Sequence, residues 1–362
     1  MSTTLLARAV ACARFLAALS LTACAAGDAD GAPFNADGTT ADLAAIAQAY
    51  RTPAVVSFAA SRAMIDRALG APTVTPATAL VGARSRGQFG AQVRSFARRA
   101  HAAATRTDEP RPAGIAILPA HVHGATFLWE PRRGRYMAGR ESGAPAHGVR
   151  FVLYAVDPGT GRPAEPLRPV GHVDVTDSVT PAASAVRLRV VSEQTTWLDY
   201  AVTADRTSDG AAVTLQGFVT NGADRVAFDV QATLGIDERD DAGRIDYRLA
   251  VPSRDLALQW TVALGGLRSI TQPMSLDLAL GSAEGSVLLG GTVTGDAGTL
   301  HVLANNVPVS TVSLSRNGIA LVRPDGTELD SAEARALRHV LSSVEDASRF
   351  SDLLLAPVAS VM

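Results

Sequence analysis

Large apolar residues fall on every second position through most of the second half of this chain. The alternation is clearest at 245–264. There Ile245, Tyr247, Leu249 and Val251 share one side, opposite Asp246 and Arg248. Beyond Pro252-Ser253-Arg254 come Leu256, Leu258, Trp260, Val262 and Leu264, opposite Ala257, Gln259, Thr261 and Ala263. Period-two alternation puts the large groups on one face of a sheet. Leu276, Leu278 and Leu280 repeat the pattern with Asp277 opposite, and Val149 to Val156 is a near-continuous apolar run. Segments 170–175 and 186–191 continue it, and 113–130 is expected to give two short strands. Between these runs lie Asn221-Gly222, Asp240-Asp241-Ala242-Gly243, Gly295-Asp296-Ala297-Gly298, Asn305-Asn306, Asn317-Gly318 and Pro324-Asp325-Gly326. Such pairs read as hairpin turns. Strands joined this way, with no helical crossover, predict an antiparallel meander.

Helical spacing is confined to the two ends. Residues 40–104 are Ala-rich. Thr40 is expected to cap a helix reaching Tyr50, with Asp42 in its first turn. Phe58, Met64, Ile65 and Leu69 mark a second helix, stopped by Gly70-Ala71-Pro72. A third, 88–104, sets Phe89, Val93 and Phe96 against Arg94, Arg98 and Arg99. It reads either as an amphipathic helix on a membrane surface or as a helix packed on its own sheet with a solvated Arg face; the second is preferred. Thr105 to Pro112 breaks the composition. Asp330-Ser331-Ala332-Glu333 has a capping-box pattern and opens a helix with an Ala334, Leu337, Leu341, Val344 stripe. The fold class expected is mainly β: a large antiparallel meander sheet, as a curled half-barrel or a sandwich, flanked by N-terminal helices and one C-terminal helix. The expected divisions are 24–40 as a tether, 41–104 helical, 113–329 the β domain and 330–362 a helix packing back on the sheet.

Composition narrows the chemistry. Hydrophobic residues make up 47% of the 362, enough for a core. All 33 basic residues are Arg, which excludes Lys-based catalysis. Residues 80–140 hold 11 Arg against three acids (Asp108, Glu109, Glu130), a formal 11 − 3 = +8 within a chain of net charge −2. Such asymmetry can orient a protein on an anionic surface.

At the N-terminus, Arg8 and Arg14 precede the apolar run 15–21, and small residues follow. That is a secretory signal pattern, too short for a spanning helix. Leu21-Thr22-Ala23-Cys24 resembles the lipobox of bacterial lipoproteins. The resemblance implies removal of residues 1–23, a thioether-linked diacylglycerol on Cys24 and an acylated amine, a membrane anchor of two or three chains. Ala25 in place of Asp then implies the outer membrane. With Cys12 removed and Cys24 acylated, the mature body has neither thiol nor disulfide. The sheet outline with helices at both chain ends is also similar to bacterial lipoprotein-carrier half-barrels, which cradle acyl chains under a helical lid.

The chain shows no Gly-x-Ser-x-Gly, His-Glu-x-x-His, phosphate loop or Gly-x-Gly-x-x-Gly. His121 and His123, expected at a strand start, are the weak metal candidates: two imidazoles at i and i+2 would face one side, with His147 or His172 completing a site. Asp28-x-Asp30-Gly31 and the acidic tip Asp237-Glu238-Arg239-Asp240-Asp241 faintly suggest calcium, against readings as a linker and a solvated turn. Arg132, Arg133 and Arg135 beside Trp129 and Tyr136 read as a phosphate grip at headgroup level or as a basic hairpin loop with core aromatics. Two functions follow, both non-catalytic and without a cofactor. In one, an outer-membrane lipoprotein binds a lipid or other amphiphile in an apolar cradle lined by Leu258, Trp260 and Leu278. In the other, the same anchored protein has a fully packed core and serves structure or interaction in the envelope. The partners expected are the membrane through Cys24, anionic lipid or envelope proteins, and no nucleic acid.

Overall fold

The computed structural model describes residues 35–69, 89–106, 118–179, 184–207, 210–235, 242–266, 272–295, 297–315 and 318–359. Among the described residues four helices flank one sheet of fifteen strands. The helices are α1 (Ala36–Ala49), α2 (Pro53–Ala68), α3 (Phe89–Arg106) and α4 (Ser331–Ala359). The early strands are β1 (Thr126–Glu130), β2 (Arg135–Ala138), β3 (Gly148–Tyr154), β4 (Pro169–Val179), β5 (Ser184–Ser192), β6 (Thr195–Thr207) and β7 (Gly210–Thr220). The rest are β8 (Arg225–Leu234), β9 (Gly243–Val251), β10 (Leu256–Leu264), β11 (Pro273–Ser282), β12 (Gly285–Thr294), β13 (Ala297–Ala304), β14 (Val307–Ser315) and β15 (Gly318–Val322).

The sheet runs β15 to β3 in strict sequence order, then β1 and β2, so it is open and not a sandwich. Every pairing is antiparallel except β1 with β3, which is parallel and makes the sheet mixed. The sharp alternation at 245–264 becomes the β9–β10 hairpin, with Trp260 opposite Tyr247 and Leu258 opposite Leu249. Trp260 also faces Leu278 of β11. Inward residues from β3 to β14 belong to one apolar core, shared with all four helices. Fifteen strands laid flat would be roughly 70 Å wide. Four helices could not cover that, so the sheet must curl round them.

Turn chemistry sets the hairpins. Asn305 and Asn306 both adopt positive φ, 48° and 63°, the conformation a two-residue hairpin turn requires. Asn221 Oδ1 accepts from Ala223 N and Asp224 N, fixing the β7–β8 turn. At α4, Asp330 Oδ1 accepts from Ala332 N at 2.9 Å and Glu333 N at 2.8 Å, the expected cap. The apolar stripe of α4 centres on Ala336, Leu337, Val340, Val344, Ala347 and Leu354; Ala334 and Leu341 lie at its half-buried margin.

Several expectations are corrected. α1 begins at Ala36, inside the expected tether, because Asn35 and not Thr40 is the cap; its Oδ1 accepts from Gly38 N at 3.0 Å. Thr40 instead donates its hydroxyl to Ala36 O. Asp37 occupies the first turn, and Asp42 reaches Arg254. The described part of 113–130 holds a 3-10 turn and β1 in place of two strands. On α3, Arg94 is buried and not on a solvated face. Its Nη2 donates to Gln272 O at 2.7 Å, closing the helix onto the β10–β11 connection. Residues 1–34, including Cys24 and Asp28 to Gly31, lie outside the described residues, as do Gly70-Ala71-Pro72 and the acidic tip 237–241.

Candidate functional site

The inner face of the sheet meets the helices through aromatic rings. Tyr247 stacks on Trp260, centroids 4.5 Å apart and 7° from parallel, and meets Phe96 of α3 at 6.1 Å. Tyr50, at the end of α1, stacks on Phe350 of α4 at 4.2 Å, and Phe350 takes the edge of Phe228 from β8. Leu258, Trp260 and Leu278 are 1%, 2% and 4% exposed. The three residues expected to line a cradle are thus brought together and sealed.

A polar cluster is set into this same layer. Arg62 and Asp66 come from α2, Arg99 from α3, Asp352 from α4 and Tyr200 from β6. Arg99 Nε lies 3.5 Å from Asp352 Oδ1. Tyr200 donates its hydroxyl to Leu354 O at 3.0 Å. Burial pushes the Asp66 carboxyl up to about 6, against the opposing pull of Arg62 and Arg99. It raises Asp352 for the same reason and lowers the Arg62 guanidinium. Burial, then the nearby Asp66, lift Tyr200 well above its ordinary range. One oxygen each of Asp66 and Asp352 is buried without a hydrogen bond, as is Trp260 Nε1, whereas the Tyr247 and Ser348 hydroxyls face each other. Two guanidinium groups and two carboxyls balance formally. The cluster can take up a proton at Asp66, which is the chemistry its geometry offers. Sequence reading missed it. The available signal was a pair of opposite charges four apart, Arg62 and Asp66, on a helix whose one other charge is Arg67.

The outer face is organised differently. A groove of about 570 Å³ crosses β9 to β13, lined by Arg244, Asp246, Arg248, Gln259, Thr261 and Asp277, with Tyr247, Trp260 and Leu278 at its floor. Arg244 grips Asp246 through both oxygens at 2.8 Å, and Thr261 donates to Asp246 Oδ1 at 2.6 Å. Burial raises the Asp246 carboxyl, but these bonds outweigh it and hold it below its usual range. Gly290 keeps the groove open beside Asp277: a Cβ there would stand 3.1 Å from Asp277 Oδ1. A second hollow of about 660 Å³ lies over Thr292, Thr299, His301 and Ser313.

The remaining candidates are dispersed. Arg132, Arg133 and Arg135 are exposed around the β1–β2 turn, and seven strands separate β1 from β10 in the sheet order. Trp129 and Tyr136 meet edge to face at 5.6 Å and are buried, and Tyr136 donates to Val152 O. They are core aromatics, not headgroup anchors. The strand that was to align His121 and His123 is not formed. They lie in and just after the 3-10 turn Ala120–Val122, with His121 exposed and His123 half-buried. His172 sits on β4, 3.8 Å from Asp174; burial, then Arg150, lower its pKa. Among the described residues no three or more His, Cys, Asp or Glu are arranged to hold a metal. No described helix is long and apolar enough to cross a membrane. Comparison with known proteins found no matching family model, no similar curated protein and no similar solved structure.

Proposed function

We propose that this protein is a non-catalytic lipoprotein of the bacterial outer membrane, anchored through Cys24, whose packed β core serves structure or interaction in the envelope. The anchor rests on Leu21-Thr22-Ala23-Cys24. The observation that carries the packed reading is the filled inner face, where Trp260 is stacked on Tyr247 beneath Phe96. A second reading, amphiphile binding between helices and sheet, draws support from the buried, unpaired Trp260 Nε1. Native mass spectrometry of the full chain, purified gently from envelopes, separates the two. The packed reading expects the mass of the acylated chain alone, with no uptake of added phospholipid. A second lipid mass, lost on extraction and abolished by Leu258→Trp, would establish the carrier instead. A Cys24→Ser chain that keeps a diacylglyceryl mass would end the anchor assignment.

A further inference from the structure

The topology gives the sheet two unlike ends. In an antiparallel meander, alternate connections fall on the same side. One end therefore carries the β5–β6, β7–β8, β9–β10, β11–β12 and β13–β14 turns, together with the β3–β4 connection. Because β1 runs parallel to β3, the β1–β2 turn lies there too. Contacts across the turns agree: Ser253 Oγ donates to Asp224, and Asn305 Oδ1 accepts from Ser286 N. The described chain also enters at this end. Asn35 bonds Glu284 in the β11–β12 turn, and Asp42 pairs with Arg254 in the β9–β10 turn. Cys24 is 35 − 24 = 11 residues upstream, a reach of at most about 40 Å.

Charge on this end is concentrated in one corner. The β1–β2 turn and the β3–β4 connection expose Arg132, Arg133, Arg135, Arg162 and Arg168. Among the described residues none of the five is ion-paired. Two of the three acids in the same loops are turned onto backbone. Glu130 accepts from Arg132 N, and Asp157 Oδ1 accepts from Gly159 N and Thr160 N. Both are half-buried, which leaves Glu165 as the exposed acid of these loops.

We propose that this Arg corner lays the anchored body against the anionic phospholipid headgroups of the leaflet that holds its lipid. The proposal rests on the Cys24 anchor. Arg suits the task because its planar fork pairs with phosphate and never loses its charge. The contact is polar and not inserted, since Trp129 and Tyr136 face the core. It is therefore sensitive to salt.

The test uses the full acylated chain in nanodiscs, of phosphatidylcholine alone or mixed with phosphatidylglycerol, followed by hydrogen exchange. Residues 130–136 and 157–168 are expected to exchange several-fold more slowly with phosphatidylglycerol present. The protection should vanish at about 1 M salt, where the Debye length is about 3 Å. It should vanish also in the R132Q/R133Q/R135Q chain and weaken in R162Q/R168Q, both at unchanged melting temperature. Equal exchange in both discs, with the protein still disc-bound, overturns the corner and leaves the anchor standing. Failure to enter either disc overturns the anchor and the corner with it.

Discussion

The two faces of one sheet solve different problems. On the inner face, side chains from β3 to β14 and all four helices form a single apolar cluster. Outward positions on the same strands carry polar pairs, across strands for Arg187 with Asp199 and along β9 for Arg244 with Asp246, each bonded through both oxygens. The inner face supplies stability through burial, worth about 1.5–3 kcal/mol per large side chain. Exposed ion pairs contribute a median of about 0–1 kcal/mol each. The outer pairs therefore define a surface more than they hold the fold.

That contrast can be broken most directly at Trp260. Trp260→Ala is expected to cost about 3–5 kcal/mol in chemical denaturation, because the stack on Tyr247 and the contact layer beneath Phe96 would empty together. A loss below about 1 kcal/mol would mean that the inner face is loosely filled. Leu258→Trp probes the same packing from the other direction. In a dense core it should cost about 1–3 kcal/mol; a neutral outcome would reopen the cradle.

Asp330→Ala removes the cap of α4 and should lower the melting temperature, by less than Trp260→Ala does, in a thermal melt. Arg244→Ala on the outer face should change stability by less than about 1 kcal/mol. If it matched Trp260→Ala, the division between the faces would fail.

Two acids sharpen the comparison through pH. Asp66 has a folded pKa of about 6, raised by burial above the unfolded value. Its contribution is most favourable below the unfolded pKa of about 3.9 and declines as pH rises through 6. Asp66→Asn should therefore raise the melting temperature at pH 7–8, with the gain fading toward pH 4. Asp224 behaves oppositely. It is bonded by Arg254 and Ser253, which hold its pKa below the usual range. Its stabilisation is present above about pH 3.9 and is lost as pH falls through the folded value. Asp224→Asn should lower the melting temperature at pH 7 and have little effect at pH 2. Melting curves of both variants across pH check the two signs together.

Local information was enough for most of the strands and for their order from β3 to β15; the parallel placement of β1 beside β3 was not legible in it. Side-chain alternation at 245–264 announced both a hairpin and its buried face, and short Asn- and Gly-rich turns left no room for crossovers. Some local signals were weaker. Glu193 and Gln194 both take positive φ, 49° and 69°, in the β5–β6 turn, although neither residue type advertises one. Asn35 outcompeted Thr40 as a cap, although a helix starting at Ala36 must include Gly38 near its start. Period alone cannot tell which of two polar residues ends a helix, since both satisfy the same backbone N–H groups.

Long-range placement lay beyond it. Arg94 looked solvent-facing by helical spacing, but the β10–β11 connection offered it the Gln272 carbonyl, and that partner is 178 residues away. Arg62, Asp66, Arg99, Asp352 and Tyr200 belong to four elements whose meeting depends on how three helices pack on β6. Alternation is a property of neighbouring residues, so the chain's order of polar and apolar groups specified strands, turns and the choice of face. Whether the apolar face would be open, stacked on a second sheet or filled by helices depended on the curl of fifteen strands. The gathering of the Arg loops at the end where the chain enters depended instead on the parallel pairing of β1 with β3. Curl is the sum of many small twists acting across the whole sheet, and only the folded structure adds them up.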